Sequence, residues 1–312
     1  MKTFFVRLLL FMFCAAIAYP ILIILWGELI PPKYRENLIY YNHYNEFNDM
    51  GLRIGEIPNY KDIDILFLGS SHAYRSFDTR LFKKAGYVAF NLGSSSQTII
   101  QTELLLNKYL DMLNPKLIIF EVYPAVFSID GIESTIELLS VDKIDYQTLK
   151  MVIKHFHVKT FNTAIYGLYR QLLNGNKFPN KILTNGIDTY IEGGFVESKM
   201  KTFHNSKVNY VQNNWIIKRQ QSEAFDRTLL LIKKRKIKFI LVQAPITKQL
   251  YRSYKNNSEI DNYFLLRGRY LNYNNLINLS DSLDFYDTNH LNQHGVCIFC
   301  NDLINKLHFK NN

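Results

Sequence analysis

From Leu8 to Trp26 the chain carries no charged residue; Lys2 and Arg7 precede this run, and Gly27 and Glu28 follow it. At about 1.5 Å per helical residue, such a run just spans a hydrocarbon core of about 30 Å. Pro20 within it is a kink that membrane helices tolerate. Trp26 suits the far interface, and Lys2 with Arg7 favour a cytoplasmic N-terminus. A cleaved signal peptide competes with this reading, but the run exceeds the usual apolar region of such peptides, and Ala15-Ala16-Ile17-Ala18 lies in its middle. The pattern therefore predicts an uncleaved single-pass anchor over residues 1–29, with the rest of the chain periplasmic or extracellular.

Residues 30–60 hold Pro31-Pro32 and many Tyr, Asn and Glu residues, the composition of a linker that settles onto a domain. A regular alternation follows. Asp64 to Gly69 is a short apolar run ending in glycine, as a buried parallel strand does. Phe77 to Ala85 reads as a helix stopped by Gly86, Val88 to Gly93 as a second strand, and Thr98 to Leu113 as a helix ended by Asn114-Pro115. Leu117 to Val122 is a third strand closed by Tyr123-Pro124. Trp215 to Ile232 is an amphipathic helix and Ile237 to Val242 a fourth strand. A helix covers part of Ile260 to Leu276, Leu283 to Tyr286 is a last short strand, and Asn292 to Leu307 a closing helix. Strands alternating with helices predict an α/β domain over residues 61–312, with a parallel sheet covered on both faces. Between about 125 and 214 the pattern breaks into helices and Gly-Asn-rich loops, read as a mainly helical insertion over the carboxyl edge of the sheet.

Composition changes this picture little. The apolar fraction of 47% and charged fraction of 21% are ordinary for a globular chain. The formal charge of +10 raises nucleic acid as a partner, but no recognition motif accompanies it. The densest basic run, Lys233 to Lys238, sits at a predicted helix end, where cations complement the helix dipole. The three cysteines make no disulfide framework: Cys14 lies in the membrane run, and Cys297 with Cys300 falls in a helix where Val296, Cys300, Leu303, Ile304 and Leu307 recur at helical spacing. These two cysteines read as packing, since no second pair completes a zinc set.

Three polar clusters stand at strand ends, the edge where ligands bind in open α/β sheets. They are Gly69-Ser70-Ser71-His72, Asn91 to Thr98, and Asp287-Thr288-Asn289-His290-Leu291-Asn292. An Asp three residues before a His on a turn can hold the imidazole tautomer and stabilise the imidazolium. A serine on a glycine-led strand-to-helix turn can offer its hydroxyl to that imidazole. Ser71, Asp287 and His290 are therefore the candidate nucleophile, acid and base. His72 adjoins Ser71 and is expected to point away from it along the turn. His294 lies one turn beyond His290 with no carboxylate at matching spacing, and as a metal pair the two histidines lack a third ligand.

On these residues the sequence resembles the SGNH (GDSL-like) hydrolase superfamily, in layout its membrane-anchored bacterial members resembling polysaccharide O-acetyltransferases. The resemblance covers roughly residues 64–124 and 239–307, and not the insertion. Ile65 to His72 matches the first family block, whose nucleophile falls on Ser71, and Asp287-Thr288-Asn289-His290 matches the last. It implies a three-layer flavodoxin-like parallel sheet and a Ser-His-Asp triad working through an acyl-enzyme, without cofactor or metal. It also implies oxyanion donors at Gly93 and Ser96, where Ser96 replaces the usual glycine. The third block normally supplies an asparagine donor, but Phe120-Glu121-Val122-Tyr123-Pro124 stands there instead. The implied function is an anchored esterase or O-acyltransferase acting on acyl esters, chiefly acetyl, of an extracytoplasmic polysaccharide, with that cell-surface polysaccharide or its acyl-donor system as partner. A non-catalytic polysaccharide-binding or assembly protein on a degenerate scaffold is the alternative.

Overall fold

The computed structural model describes residues 1–41, 47–173, 182–203 and 210–308. The chain divides into two compact units: Met1–Tyr44 with Thr135–Pro179, and Asn45–Ser134 with Asn180–Asn312.

In the first unit, helix α1 (Lys2–Leu29) includes Pro20 and is long and apolar enough to cross a membrane, with a mean hydropathy of 2.8 over its best window. Helices α7 (Tyr146–Lys154) and α8 (Val158–Leu172) belong to the same unit. Tyr19 on α1 donates to Asn162 Oδ1 at 2.5 Å, and Tyr166 donates to Glu28 Oε1 at 2.9 Å, so α8 lies along the second half of α1.

The second unit is built on five parallel strands: β1 (Ile65–Leu68), β2 (Ala89–Asn91), β3 (Leu117–Glu121), β6 (Lys238–Gln243) and β7 (Tyr270–Asn272). Their spatial order is β2-β1-β3-β6-β7, which over these five strands is the flavodoxin-like 2-1-3-4-5 arrangement. The α/β parallel sheet expected from the alternation is therefore present. All four residues of β1 are buried, as befits a central strand covered on both faces. Helices α2 (Asp49–Glu56), α3 (Ser71–Ser76), α4 (Thr79–Lys84), α5 (Ile99–Leu113), α6 (Ile132–Val141), α9 (Arg219–Lys234), α10 (Lys248–Ser253), α11 (Asn257–Leu265), α12 (Tyr273–Leu276) and α13 (Gln293–His308) complete the chain. The punctuation works as the side chains dictate. Thr98 and Gln101 form a capping box that opens α5, and Asn114 closes it with a left-handed φ of 41°. Asp78 caps α4 through the Arg80 N–H.

One expectation is corrected. The last strand is not Leu283 to Tyr286 but Tyr270–Asn272, which lies between the two helical parts of Ile260 to Leu276, α11 and α12; Phe285 makes only an isolated bridge to Leu291. Asn272 ends this strand: its side chain accepts from the Asn274 N–H, which caps the start of α12, and donates to Asp261 Oδ1 at 2.8 Å. The stretch between β3 and β6 contains not only helices but an antiparallel hairpin, β4 (Asp188–Ile191) with β5 (Phe195–Ser198), turned by Gly193 and Gly194 at positive φ.

The core of the second unit joins Phe67, Phe77, Phe82, Val242 and Tyr273 to the buried face of α13, namely Val296, Phe299, Cys300, Leu303 and Ile304. Cys300 is fully buried and its thiol donates to the Ser76 carbonyl at 3.1 Å, so it packs as expected, while Cys297 is only half-buried.

Candidate active site

Strand β1 delivers the chain to a turn that only glycine can make. Gly69 has φ of +143°, and a Cβ there would lie 2.8 Å from Glu121 Cβ and 3.0 Å from Ala73 Cβ. Ser70 then caps α3, and Ser71 is its first residue. The N–H of a first helical residue has no intrahelical acceptor, and among the described residues that of Ser71 has none elsewhere.

The candidate base, His290, arrives from the loop before α13. Phe285 and Leu291 bridge its ends, Tyr286 N–H donates to the His290 carbonyl at 2.8 Å, and the Thr247 hydroxyl holds the Thr288 carbonyl from the end of β6 at 2.8 Å. Within this loop Asp287 Oδ1 accepts from the Asn289 and His290 backbone N–H groups at 2.9 and 2.8 Å. Its Oδ2 meets His290 Nδ1 at 2.9 Å, and His290 Nε2 meets Ser71 Oγ at 2.9 Å. Burial alone raises the Asp287 carboxyl, but the His290 ring and the two backbone N–H groups outweigh it and hold the group at about 2. An ionised Asp287 fixes the proton on Nδ1 and leaves the Nε2 lone pair facing the serine hydroxyl. The structure thus brings Ser71, His290 and Asp287 into one hydrogen-bonded line, with His290 and Asp287 partly open to solvent.

The other two histidines sit differently from expectation. His72 does not point away: its ring stacks on Tyr123 at 3.8 Å and lies 5.1 Å from the His290 ring, centroid to centroid. It is fully buried, and neither ring nitrogen has a hydrogen-bond partner in the described structure. Desolvation, followed by the nearby His290, drives its pKa well below the ordinary histidine value, so it stays neutral and cannot serve as base. His294 does have a carboxylate, Asp284, at 2.5 Å from Nδ1. Ten residues separate the pair, and loop folding rather than helical spacing joins them.

The two expected oxyanion positions part company. The Gly93 N–H donates to Asn91 Oδ1 at 3.0 Å, while Asn91 Nδ2 donates to the Ala73 carbonyl at 2.8 Å, so Gly93 is spent on fixing this turn against α3. Ser96 has a left-handed φ of 49°, a conformation that favours glycine, and among the described residues its backbone N–H has no acceptor. Its hydroxyl donates to Glu133 Oε2 at 2.9 Å, and Ser95 donates to Oε1 at 3.1 Å. Glu121 closes β3 behind the Gly69 turn, fully buried; desolvation, opposed by the Tyr123 and Ala244 N–H groups, pushes its carboxyl up to about 8.

The hairpin adds residues that sequence reading missed. Arg75, one helical turn beyond Ser71, makes a bidentate pair with Asp188 at 3.0 and 2.8 Å, and Ser198 donates to Asp188 at 2.6 Å. Beyond this pair a cavity of about 780 Å³ is lined by Thr189, Ser198, Lys199, Gln293, His294 and Cys297, among others. A basic residue at i+4 from a candidate nucleophile is the only sequence signal for this contact; the partner strand has none. Among the described residues no group of three His, Cys, Asp or Glu side chains is arranged to hold a metal ion.

The fold and these residues define a flavodoxin-like α/β protein with a Ser-His-Asp line at the carboxyl edge of its sheet. No family model matches the chain, and no curated protein matches it. Solved structures with a similar path include a candidate acylhydrolase of Bacteroides fragilis, at TM-score 0.42 and 14% identity, covering 84% of this chain and 99% of that one. A GDSL-like lipase of Bacteroides thetaiotaomicron gives TM-score 0.39 and 14% identity, covering 84% of this chain and 100% of its own.

Proposed function

We propose that the chain is a membrane-anchored serine esterase or O-acyltransferase that cleaves acyl esters, chiefly acetyl, of an extracytoplasmic polysaccharide. The observation that carries the chemistry is the unbroken line from Ser71 Oγ through His290 to Asp287, with 2.9 Å at both side-chain contacts. Ser71 Oγ attacks the ester carbonyl while Nε2 takes its proton, and Asp287 stabilises the imidazolium. The Ser71 and Ser96 N–H groups are the donors for the oxyanion. Collapse of the tetrahedral intermediate breaks the C–O bond, and the imidazolium returns its proton to the leaving alkoxide. Water or a sugar hydroxyl, deprotonated in turn by His290, then attacks the acyl-serine and frees Ser71. The polysaccharide is supported by the family resemblance and by reading α1 as an anchor with the rest of the chain outside the cytoplasm.

A second reading, a non-catalytic glycan-binding protein, draws on the engaged Gly93 N–H and on Glu121 where an asparagine donor is expected. The full chain in detergent, treated with a fluorophosphonate and weighed intact, separates the two. One adduct on wild type, absent from Ser71→Ala and His290→Ala, supports catalysis. No adduct on folded wild type overturns it in favour of the binding reading.

A further inference from the structure

The first unit exposes an apolar corner where α7 meets α8. Ile153, Phe156 and Val158 are 67%, 62% and 45% exposed, and Lys150, Lys154 and Lys159 stand beside them in sequence. Bulky side chains this open to water are costly on a soluble surface, and a cation-rimmed apolar patch is the composition of a membrane-surface element. The question is at what height this corner sits on α1.

Ring contacts answer it. Phe156 packs on Phe161 at 5.5 Å, and Phe161 faces Tyr19 at 6.4 Å. From there α8 climbs toward the end of α1, since Tyr166 reaches Glu28 at 2.9 Å and Arg170 reaches it at 3.5 Å. The corner therefore lies level with Tyr19 or further toward the N-terminus. Trp26 and Tyr34, both exposed aromatics, mark the outer interface, and Tyr19 is seven residues before Trp26, about 10 Å along the helix. Tyr19 cannot itself be that interface. Only residues 8–18 would then separate it from Arg7, about 16 Å of helix against a core of about 30 Å. The α1–α8 contact is also built as contacts within a membrane are. The Tyr166 ring lies directly over Gly27, and Asn162 is satisfied by Tyr19 and by donating to the Asn37 carbonyl at 2.9 Å.

We infer that the α7–α8 corner inserts into the outer leaflet of the bilayer that α1 crosses, with Ile153, Phe156 and Val158 among the acyl chains. Lys150, Lys154 and Lys159 extend to the headgroups, as long cationic side chains do. This rests on α1 being a membrane span. The corner then fixes the tilt and rotation of the first unit on the membrane, which a single helix leaves free.

The test uses the full chain in phosphatidylcholine–phosphatidylglycerol vesicles, with Cys14→Ala and Cys297→Ser and the buried Cys300 retained. An environment-sensitive fluorophore is placed in turn on Phe156→Cys, on Leu22→Cys in α1, and on Leu266→Cys, whose side chain is 86% exposed. The expected result is loss of emission on brominated lipid at positions 156 and 22, with both shielded from aqueous iodide, which quenches position 266. Iodide quenching at 156 with lipid quenching at 22 overturns the inference while the anchor stands. Shielding of 156 from both quenchers also overturns it, because protein then covers the corner. Absence of lipid quenching at 22 refutes the span and the inference with it.

Discussion

Glu121→Gln is expected to flatten the pH dependence of stability. Glu121 is fully buried, and burial, only partly offset by the Tyr123 and Ala244 N–H groups, lifts its pKa from 4.5 to about 8. Below about pH 4.5 folded and unfolded chains both hold the proton, and nothing is lost. Between that value and about 8 only the unfolded chain releases it, so stability falls as pH rises; above about 8 both are ionised and the penalty is constant. At about 1.4 kcal/mol per pH unit, raising the pH from 5 to 8 costs about 4 kcal/mol from this one group. For a chain of this size that is on the order of 8 °C in apparent midpoint. Glutamine keeps the shape and cannot ionise. It also buries an amide, which shifts absolute stability equally at both pH values, so the diagnostic is the pH difference. Thermal unfolding of the full chain in detergent, followed by circular dichroism at a single scan rate, compares wild type and variant at pH 5 and pH 8. A fall of several degrees in wild type that is absent from the variant is the expected result. Equal falls in both would refute the reasoning, because Glu121 would then ionise alike in the folded and unfolded chains.

Three further variants test the site. Asp287→Asn should reduce ester turnover by roughly 10⁴-fold, because the amide no longer fixes the Nδ1–H tautomer. In acid, its lowered pKa gives wild type a contribution that is complete above the unfolded value of about 3.9 and lost as pH falls through about 2; the variant's acid unfolding curve should lack it. His294→Ala should leave fluorophosphonate labelling at the wild-type rate, since Asp284 and not Ser71 is its partner; a loss matching that of His290→Ala would reassign the base. Gly69→Ala should lower stability by roughly 1–3 kcal/mol from backbone strain and slow labelling of Ser71, measured by thermal unfolding and intact mass, because the new Cβ meets Glu121 Cβ at 2.8 Å.

The sheet was legible because its signals are local. Apolar runs such as Ile65 to Leu68 and Leu117 to Glu121 have the length and β-branched content of buried strands, and Gly86 and Asn114 stop the helices between them by their own φ preference. The errors fall where a segment's partner is distant in sequence. Tyr270–Asn272 is only three residues long and counts as a strand because β6 supplies the other half of its ladder. The β4–β5 hairpin carries little apolar alternation, since β4 buries only Tyr190, and it is held by Arg75 more than a hundred residues earlier.

The same distinction divides the site. Asp287 and His290 are three residues apart, so one turn brings the carboxylate to Nδ1 while its other oxygen takes the loop's own N–H groups; spacing alone encodes that pair. Ser71 at the end of a central strand meets the loop before the last helix because both lie at the carboxyl edge of a parallel sheet, which topology encodes. Hydrogen-bond occupancy and burial are encoded by neither. Gly93 matches an expected donor position, yet its N–H is taken by Asn91 two residues earlier, while the Ser96 N–H has no acceptor among the described residues, at the cost of a conformation that glycine adopts more readily. His72 reads as a rival base by its place beside Ser71, and burial against Tyr123 makes it a neutral wall instead. Spacing therefore identifies which groups can meet, and desolvation with the count of available donors decides which of them can act.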